Sequence, residues 1–207
     1  MAATALITST SNPRIKQIRA LARHGERQAT ALCVVEGIFH TGEALAAGAV
    51  DYLVYAPDLL ASDFGRGLVA QADAKEIPVY RASAEVMRAV SSRDNPQGLL
   101  AVVRQRRTQL DELSAEKHPW LVAVIAPQDP GNVGAILRTI DAAGASGLLL
   151  LDGGVDPYHS GAIRASMATI FHLPVASASF EAFVSWARGG HYRVYGTSAH
   201  GQVSYRE

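Results

Sequence analysis

A single cysteine, Cys33, stands in this chain of 207 residues, so no disulfide can form within it. It lies in the apolar run Ala31-Leu32-Cys33-Val34-Val35, which predicts a small buried hydrophobe rather than a reactive thiol. Long apolar runs are missing as well. No segment approaches the ~18–20 consecutive apolar residues that span a bilayer, and the start, MAATALITSTSNPR, lacks the basic-then-apolar layout of a signal peptide. The expectation is a cytosolic protein with no membrane association. His24, His40, His118, His159, His172, His191 and His200 show none of the paired spacing of metal sites, and with one cysteine no structural zinc is expected. Net charge is also absent, with 19 Lys and Arg against 19 Asp and Glu, but the balance is uneven along the chain. Residues 1–107 hold 13 cations and 10 anions, and residues 108–207 hold 6 and 9. Sixteen of the cations are arginine, the side chain that forks onto phosphate, although arginine bias is also a common compositional habit.

What is present is enough apolar content, 48%, to bury a core, in an order that favours two small domains over one. Asn12-Pro13 opens a predicted helix, RIKQIRALARHGER, with Asn12 as N-cap and Pro13 at the first helical position. At 100° per residue Lys16, Arg19, Arg23 and Arg27 share one stripe, and Glu26 is the only acid in the first 30 residues. This basic ridge reads either as a solvated helix face or as a nucleic-acid contact. Strands are then predicted at Leu32–Glu36, Tyr52–Ala56, Ile77–Tyr80 and Leu99–Val103, with helices near 38–47, 64–74 and 83–91 between them. The polar stretch Arg104–Pro119 breaks this rhythm and marks the boundary. Beyond it come strands at Leu121–Ala126, Leu148–Leu151 and Tyr192–Thr197, with helices near 132–143, 161–170 and 180–187. The runs LVAVIA and LLLL do not alternate, as in strands buried on both faces of a parallel sheet. The fold class is α/β.

Two segments can carry chemistry. The first, Ala126-Pro127-Gln128-Asp129-Pro130-Gly131-Asn132-Val133-Gly134-Ala135-Ile136-Leu137-Arg138-Thr139, runs from a strand end through a loop into a helix, where open α/β sheets bind ligands. Its glycines do not fit G-x-G-x-x-G and it has no P-loop lysine, which disfavours a generic nucleotide binder. Val133, Ile136, Leu137 and Ile140 form the buried stripe, so Arg138 projects away from the core among Gly131, Ala135, Thr139 and Ala142. Arg138 is a solvated arginine or a functional one. In the second segment, Val155–Pro174, Ile163, Met167, Ile170 and Phe171 recur at helical spacing, with Arg164 and Ser166 off the stripe. By itself Ser166 reads as a packing hydroxyl.

Together, N-x-G-A-I-L-R at Asn132–Arg138 and, about 25 residues on, R-A-S-M-x-x-I-F-H-L-P at Arg164–Pro174 resemble the first two signature blocks of the SpoU (TrmH) family of RNA ribose methyltransferases. Ile7–Lys16, Val35–Gly37 and Pro96–Val103 resemble the substrate-binding domain that accompanies it. The resemblance implies an L30e-like RNA-binding domain over residues 1–105 and an α/β-knot, SPOUT-type parallel-sheet domain over 119–207. It implies S-adenosylmethionine as cofactor, rRNA or tRNA as partner, a homodimer, and methyl transfer to a ribose 2′-OH. Arg138 and Asn132 become catalytic candidates, and Lys16, Arg19, Arg23, Arg27, Arg164 and Ser166 RNA-contact candidates. Ala168 stands where the family has glycine. The family's G-x-E-x-x-G and L-P-M/S-L-N-V segments, which thread the knot and hold most cofactor contacts, do not occur before Glu207, so cofactor-binding residues are not assigned. The alternative expectation is an RNA-binding protein without catalysis.

Overall fold

The computed structural model describes residues 5–197. The N-terminal basic segment forms two helices, α1 (Pro13–Ala20) and α2 (His24–Thr30), rather than the one expected. Asn12 caps α1 by accepting the Arg14 amide, as predicted, but Arg23 is extended and turns the chain. The 100° periodicity therefore stops at the turn. Then follow β1 (Leu32–Glu36), α3 (Ile38–Ala46), β2 (Val50–Tyr55), α4 (Asp63–Ala74), β3 (Val79–Arg81), α5 (Ala84–Val90) and β4 (Leu99–Arg104). These strands form one mixed sheet in the order β1-β4-β2-β3, with β4 antiparallel to both neighbours and β2 parallel to β3. Alternate residues serve its two faces. Cys33, Val35, Leu53, Leu99, Ala101 and Val103 meet α3 and α4, while Tyr52, Val54, Leu100 and Val102 meet α1 and α5.

The second sheet is wholly parallel, β5 (Leu121–Ile125), β6 (Gly147–Leu151) and β7 (Val175–Ala178) side by side in that order. Between the strands lie α6 (Pro130–Ala142), then α7 (Ser160–Ala165) with a 3-10 turn at Thr169–Phe171; α8 (Phe180–Gly189) follows β7. Every residue of β6 is buried, and its leucines divide between layers: Leu148 and Leu150 pack with α6 and α7, Leu149 and Leu151 with α8. The sequence expectation of burial on both faces holds for LLLL and fails for LVAVIA. β5 lies at the edge of the three strands, with Ala123 and Ile125 exposed. The strand expected at Tyr192–Thr197 does not form. Tyr192 instead stacks its ring on Trp186, 4.8 Å between centroids, and donates its hydroxyl to the His118 carbonyl at 2.9 Å, which folds this segment back on α8. The knot-forming segment implied by the family resemblance lies outside the described residues.

The polar stretch between the sheets is ordered. Thr108 bridges Ala176, and a 3-10 turn at Leu110–Glu112 delivers Leu113 into the core under α8. The two halves share one hydrophobic cluster, from Cys33 and Leu45 to Leu137 and Ile163. Polar contacts tie them further: Arg27 to Asp156 at 2.7 Å, His172 to Glu43 at 3.0 Å, and the Tyr158 hydroxyl donating to the Arg106 carbonyl at 2.7 Å while accepting its amide at 2.9 Å. Among the described residues no helix is long and apolar enough to cross a membrane.

Candidate active site and RNA-contact surface

The carboxyl ends of β5, β6 and β7 form one rim, the edge at which open parallel sheets take ligands. Asp129 opens α6 by accepting the Asn132 amide at 2.8 Å, and Pro130 follows at the first helical position, where a missing N–H costs nothing. Asn132 is exposed on that first turn. The helix then buries Val133, Gly134, Leu137 and Ile140 and leaves Arg138 exposed, as the periodicity predicts. The Arg138 side chain makes no hydrogen bond or ion pair among the described residues. Beside it the Thr139 hydroxyl donates back to the Ala135 carbonyl at 2.8 Å.

The two signature segments pack directly on each other, and Gly134 makes this possible. A Cβ there would lie 2.4 Å from the Ala162 carbonyl oxygen and 2.7 Å from the Ala165 Cβ, so α6 and α7 touch backbone to backbone. Further along, the Thr169 hydroxyl reaches the Asp141 carboxylate at 3.4 Å. Met167 and Ala168 both have positive φ, 50° and 70°, which gives a physical reason for glycine at 168 in the family and leaves Ala168 in a conformation disfavoured for its Cβ. Ser166 is fully buried and its hydroxyl donates to the Ile163 carbonyl at 2.8 Å. That corrects its expected place on the RNA surface, since a hydroxyl spent inside the α7 turn has no access to a ligand. Arg164, two residues earlier, is exposed.

The basic ridge needs a second correction. Lys16, Arg19 and Arg23 are exposed, Arg23 in a 3.2 Å pair with Glu26. Arg27 is buried at 4% exposure. Its Nε donates to Asp156, and its Nη1 donates to the Leu21 and Ala22 carbonyls at 3.0 and 2.8 Å, capping the end of α1. The break between α1 and α2 turns this arginine inward.

Three features escaped the sequence. The turn Asp152-Gly153-Gly154 has positive φ throughout, and a Cβ on Gly154 would lie 2.5 Å from the Pro127 carbonyl, so it docks the loop after β6 against the loop after β5. The adjacent Gly-Gly after an apolar run was the available signal. Second, a cavity of about 220 Å3 opens between the halves, lined by Glu36, His40 and Arg93 from one side and His159 and Arg164 from the other. Third, His40 bridges the halves there, its Nε2 donating to the Arg164 carbonyl at 3.4 Å. Burial, chiefly, holds its imidazole below the ordinary value, and the charges of Arg93 and Arg164 push the same way. Cys33 is inert, its thiol pushed up by burial.

Residues 119–207 match the SpoU rRNA methylase family, and residues 12–101 match the MRM3-like substrate binding domain. The crystal structure of an rRNA methyltransferase from Sinorhizobium meliloti superposes with a TM-score of 0.86 at 34% identity, over 98% of this chain and 76% of that one. The chain belongs to the SpoU rRNA methylase family. An S-adenosylmethionine-bound rRNA methyltransferase from the same organism is similar at 34% identity and a TM-score of 0.79, over 90% of this chain and 69% of that one. A 23S rRNA (guanosine(2553)-2′-O)-methyltransferase of Bacillus subtilis is 29% identical over 97% of this chain and 76% of its own length. Arg138 and Asn132 therefore lie in the first block of a SpoU protein, on a helix packed against the second.

For the cofactor bound by that Sinorhizobium relative, the rim at the carboxyl ends of the strands offers apolar surface and room. Ile125 is 58% exposed at the end of β5, and a Cβ on Gly153, in the loop after β6, would meet nothing within 4 Å.

Proposed function

We propose that this protein transfers a methyl group from S-adenosylmethionine to the 2′-hydroxyl of a ribose in rRNA, with residues 1–105 as the substrate-binding unit and 119–207 as the catalytic unit. The observation that carries this reading is the pairing of the two signature segments at Gly134, which leaves Arg138 exposed and without a partner among the described residues. When bound, the cofactor would supply an electrophilic methyl on sulfur, and the rim at Ile125 and Gly153 would form part of its enclosure. In the overall transfer an O2′–CH3 bond forms, the S–CH3 bond breaks to leave the neutral thioether S-adenosylhomocysteine, and the hydroxyl proton passes to solvent water.

Arg138 has one role that its chemistry permits. A guanidinium is protonated at neutral pH and has no free lone pair to act as a base. It donates two hydrogen bonds, to the ribose phosphate and to the oxygen on which negative charge grows as the proton departs. Asn132, on the first turn of the same helix, shapes the loop before it. Exposed Lys16, Arg19, Arg23 and Arg164 contact phosphates, which orient the RNA without reading its sequence. A 2′-hydroxyl acceptor restricts the substrate to RNA. A homodimer completes the reading, since active sites of this family form near a dimer interface.

Arg138→Ala tests it. Methyl incorporation from labelled S-adenosylmethionine into rRNA is expected to fall by about 100-fold or more, the usual cost of a lost transition-state donor. Wild-type incorporation by the variant would remove Arg138 from the mechanism.

A further inference from the structure

The cavity between the halves has a built chemical asymmetry. Its lining joins apolar Leu21, Val34, Val90 and Ile163 with cationic Arg27, Arg93 and Arg164. Two carboxylates lie nearby: Asp156, paired with Arg27, and Glu36, which lines the cavity and makes no ion pair among the described residues, so its negative charge is not cancelled. Glu36 accepts the Ser91 and Ser92 hydroxyls and the Ser92 amide, the last at 2.9 Å. Arg93 and Arg164 make no ion pair among the described residues, yet both lie close enough to His40 to repel its charged form. His159 accepts the Gly161 amide at Nδ1, 3.1 Å away, so the neutral ring carries its proton on Nε2 as a free donor. Aromatic surface continues outward from this wall: Phe39, 48% exposed, sets its ring edge-on to His40 with 5.4 Å between centroids.

We propose that this cleft is a subsite for one unpaired nucleotide of the RNA substrate, its phosphate held between Arg93 and Arg164 and its base resting on the Phe39 ring. The proposal rests on the reading of RNA as substrate and adds where a strand crosses from one half to the other. The chemistry selects a nucleotide in a chain. Two guanidinium groups without an ion-pair partner among the described residues outnumber the one unpaired carboxylate and match phosphate, apolar lining matches the face of a ribose or base, and an exposed aromatic ring stacks any base. At about 220 Å3 the cavity is below the usual range for a whole drug-sized ligand, about 300–1,000 Å3, so most of the strand stays outside. His40 and Glu36 are positioning residues: one ties α3 to the Arg164 backbone, the other holds the loop that carries Arg93.

Fluorescence anisotropy with a fluorescein-labelled single-stranded decaribonucleotide, across a KCl series, tests the subsite. Arg93→Gln and Arg164→Gln are each expected to weaken binding several-fold and to lower the slope of log affinity against log salt by about 0.7, the loss of one single-strand phosphate contact. Arg93→Lys should restore the slope. Phe39→Ala should weaken binding by roughly 5- to 100-fold with the slope unchanged, as expected for lost stacking. Arg66→Gln, an exposed arginine paired with Asp63, should bind as wild type. Wild-type affinity and slope in folded Arg93→Gln and Arg164→Gln would overturn the subsite, even with Arg138-dependent methylation intact. Displacement of the oligonucleotide by free uridine monophosphate at matching concentration would overturn it too, as a site for a free nucleotide. Absence of both RNA binding and methylation in the wild type would overturn the substrate reading itself.

Discussion

His40 shows how one side chain acquires its character from both halves of the molecule. Its sequence neighbours mark only a helix, but folding buries it beside Arg93 and Arg164, with Glu43 and the Arg164 carbonyl favouring its charge less strongly than burial opposes it. The folded imidazole therefore takes a proton less readily than the unfolded one, whose ordinary value is about 6.5. The unfolded state gains the proton first as pH falls, so the stability present above pH ~6.5 is lost below it, levelling off under the folded value. Urea unfolding at two pH values, one on each side, should show a larger loss on acidification for wild type than for His40→Asn. Equal losses would mean that burial at His40 carries no pH dependence. Cys33 illustrates the reverse case: a residue whose inertness was legible from its apolar neighbours alone.

At the scale of elements, the decisive contact is helix against helix. Gly134 lets α6 approach α7 until a Cβ would meet the Ala162 carbonyl at 2.4 Å, a distance that no rotamer can relieve because the opposing atom is backbone. Gly134→Ala must separate the helices that carry Arg138 and Arg164. It is expected to destabilise the protein by about 2–3 kcal/mol, in the range of an overpacked core, and to reduce methyl transfer beyond the loss of folded protein. A denaturation midpoint and activity both equal to wild type would mean the helices do not meet as closely as described. The elements themselves were largely legible. β1 spans the predicted residues, and α4 and α6 begin within two of the prediction, because caps and periodicity are local signals. The break between α1 and α2 was not, because the basic and apolar spacing continues smoothly through Leu21–Arg23 while the backbone turns there. Neither was the antiparallel placement of β4, since an alternating strand and helix order fits both parallel and mixed sheets.

For the whole molecule, the two halves behave as one packed body joined by a continuous apolar cluster and by the nearly buried pair of Arg27 and Asp156. Removing one partner strands the other charge, which costs about 3–5 kcal/mol for a buried pair. Arg27→Ala should therefore lower the unfolding midpoint sharply while Arg23→Ala, at an exposed pair, leaves it within about 1 kcal/mol. Similar small effects for both would show that the ridge is solvated along its full length. The sequence by itself determined the α/β class, the two-part order, the signature blocks and the outward aim of Arg138, because each depends on neighbours within one or two turns of chain. Only the tertiary structure decided that Arg27 and Ser166 turn inward and that Arg93, His40 and Arg164 line one cleft. Residues 36, 40, 93, 159 and 164 lie in segments whose meeting depends on how the two sheets and their helices pack. No local periodicity encodes that packing.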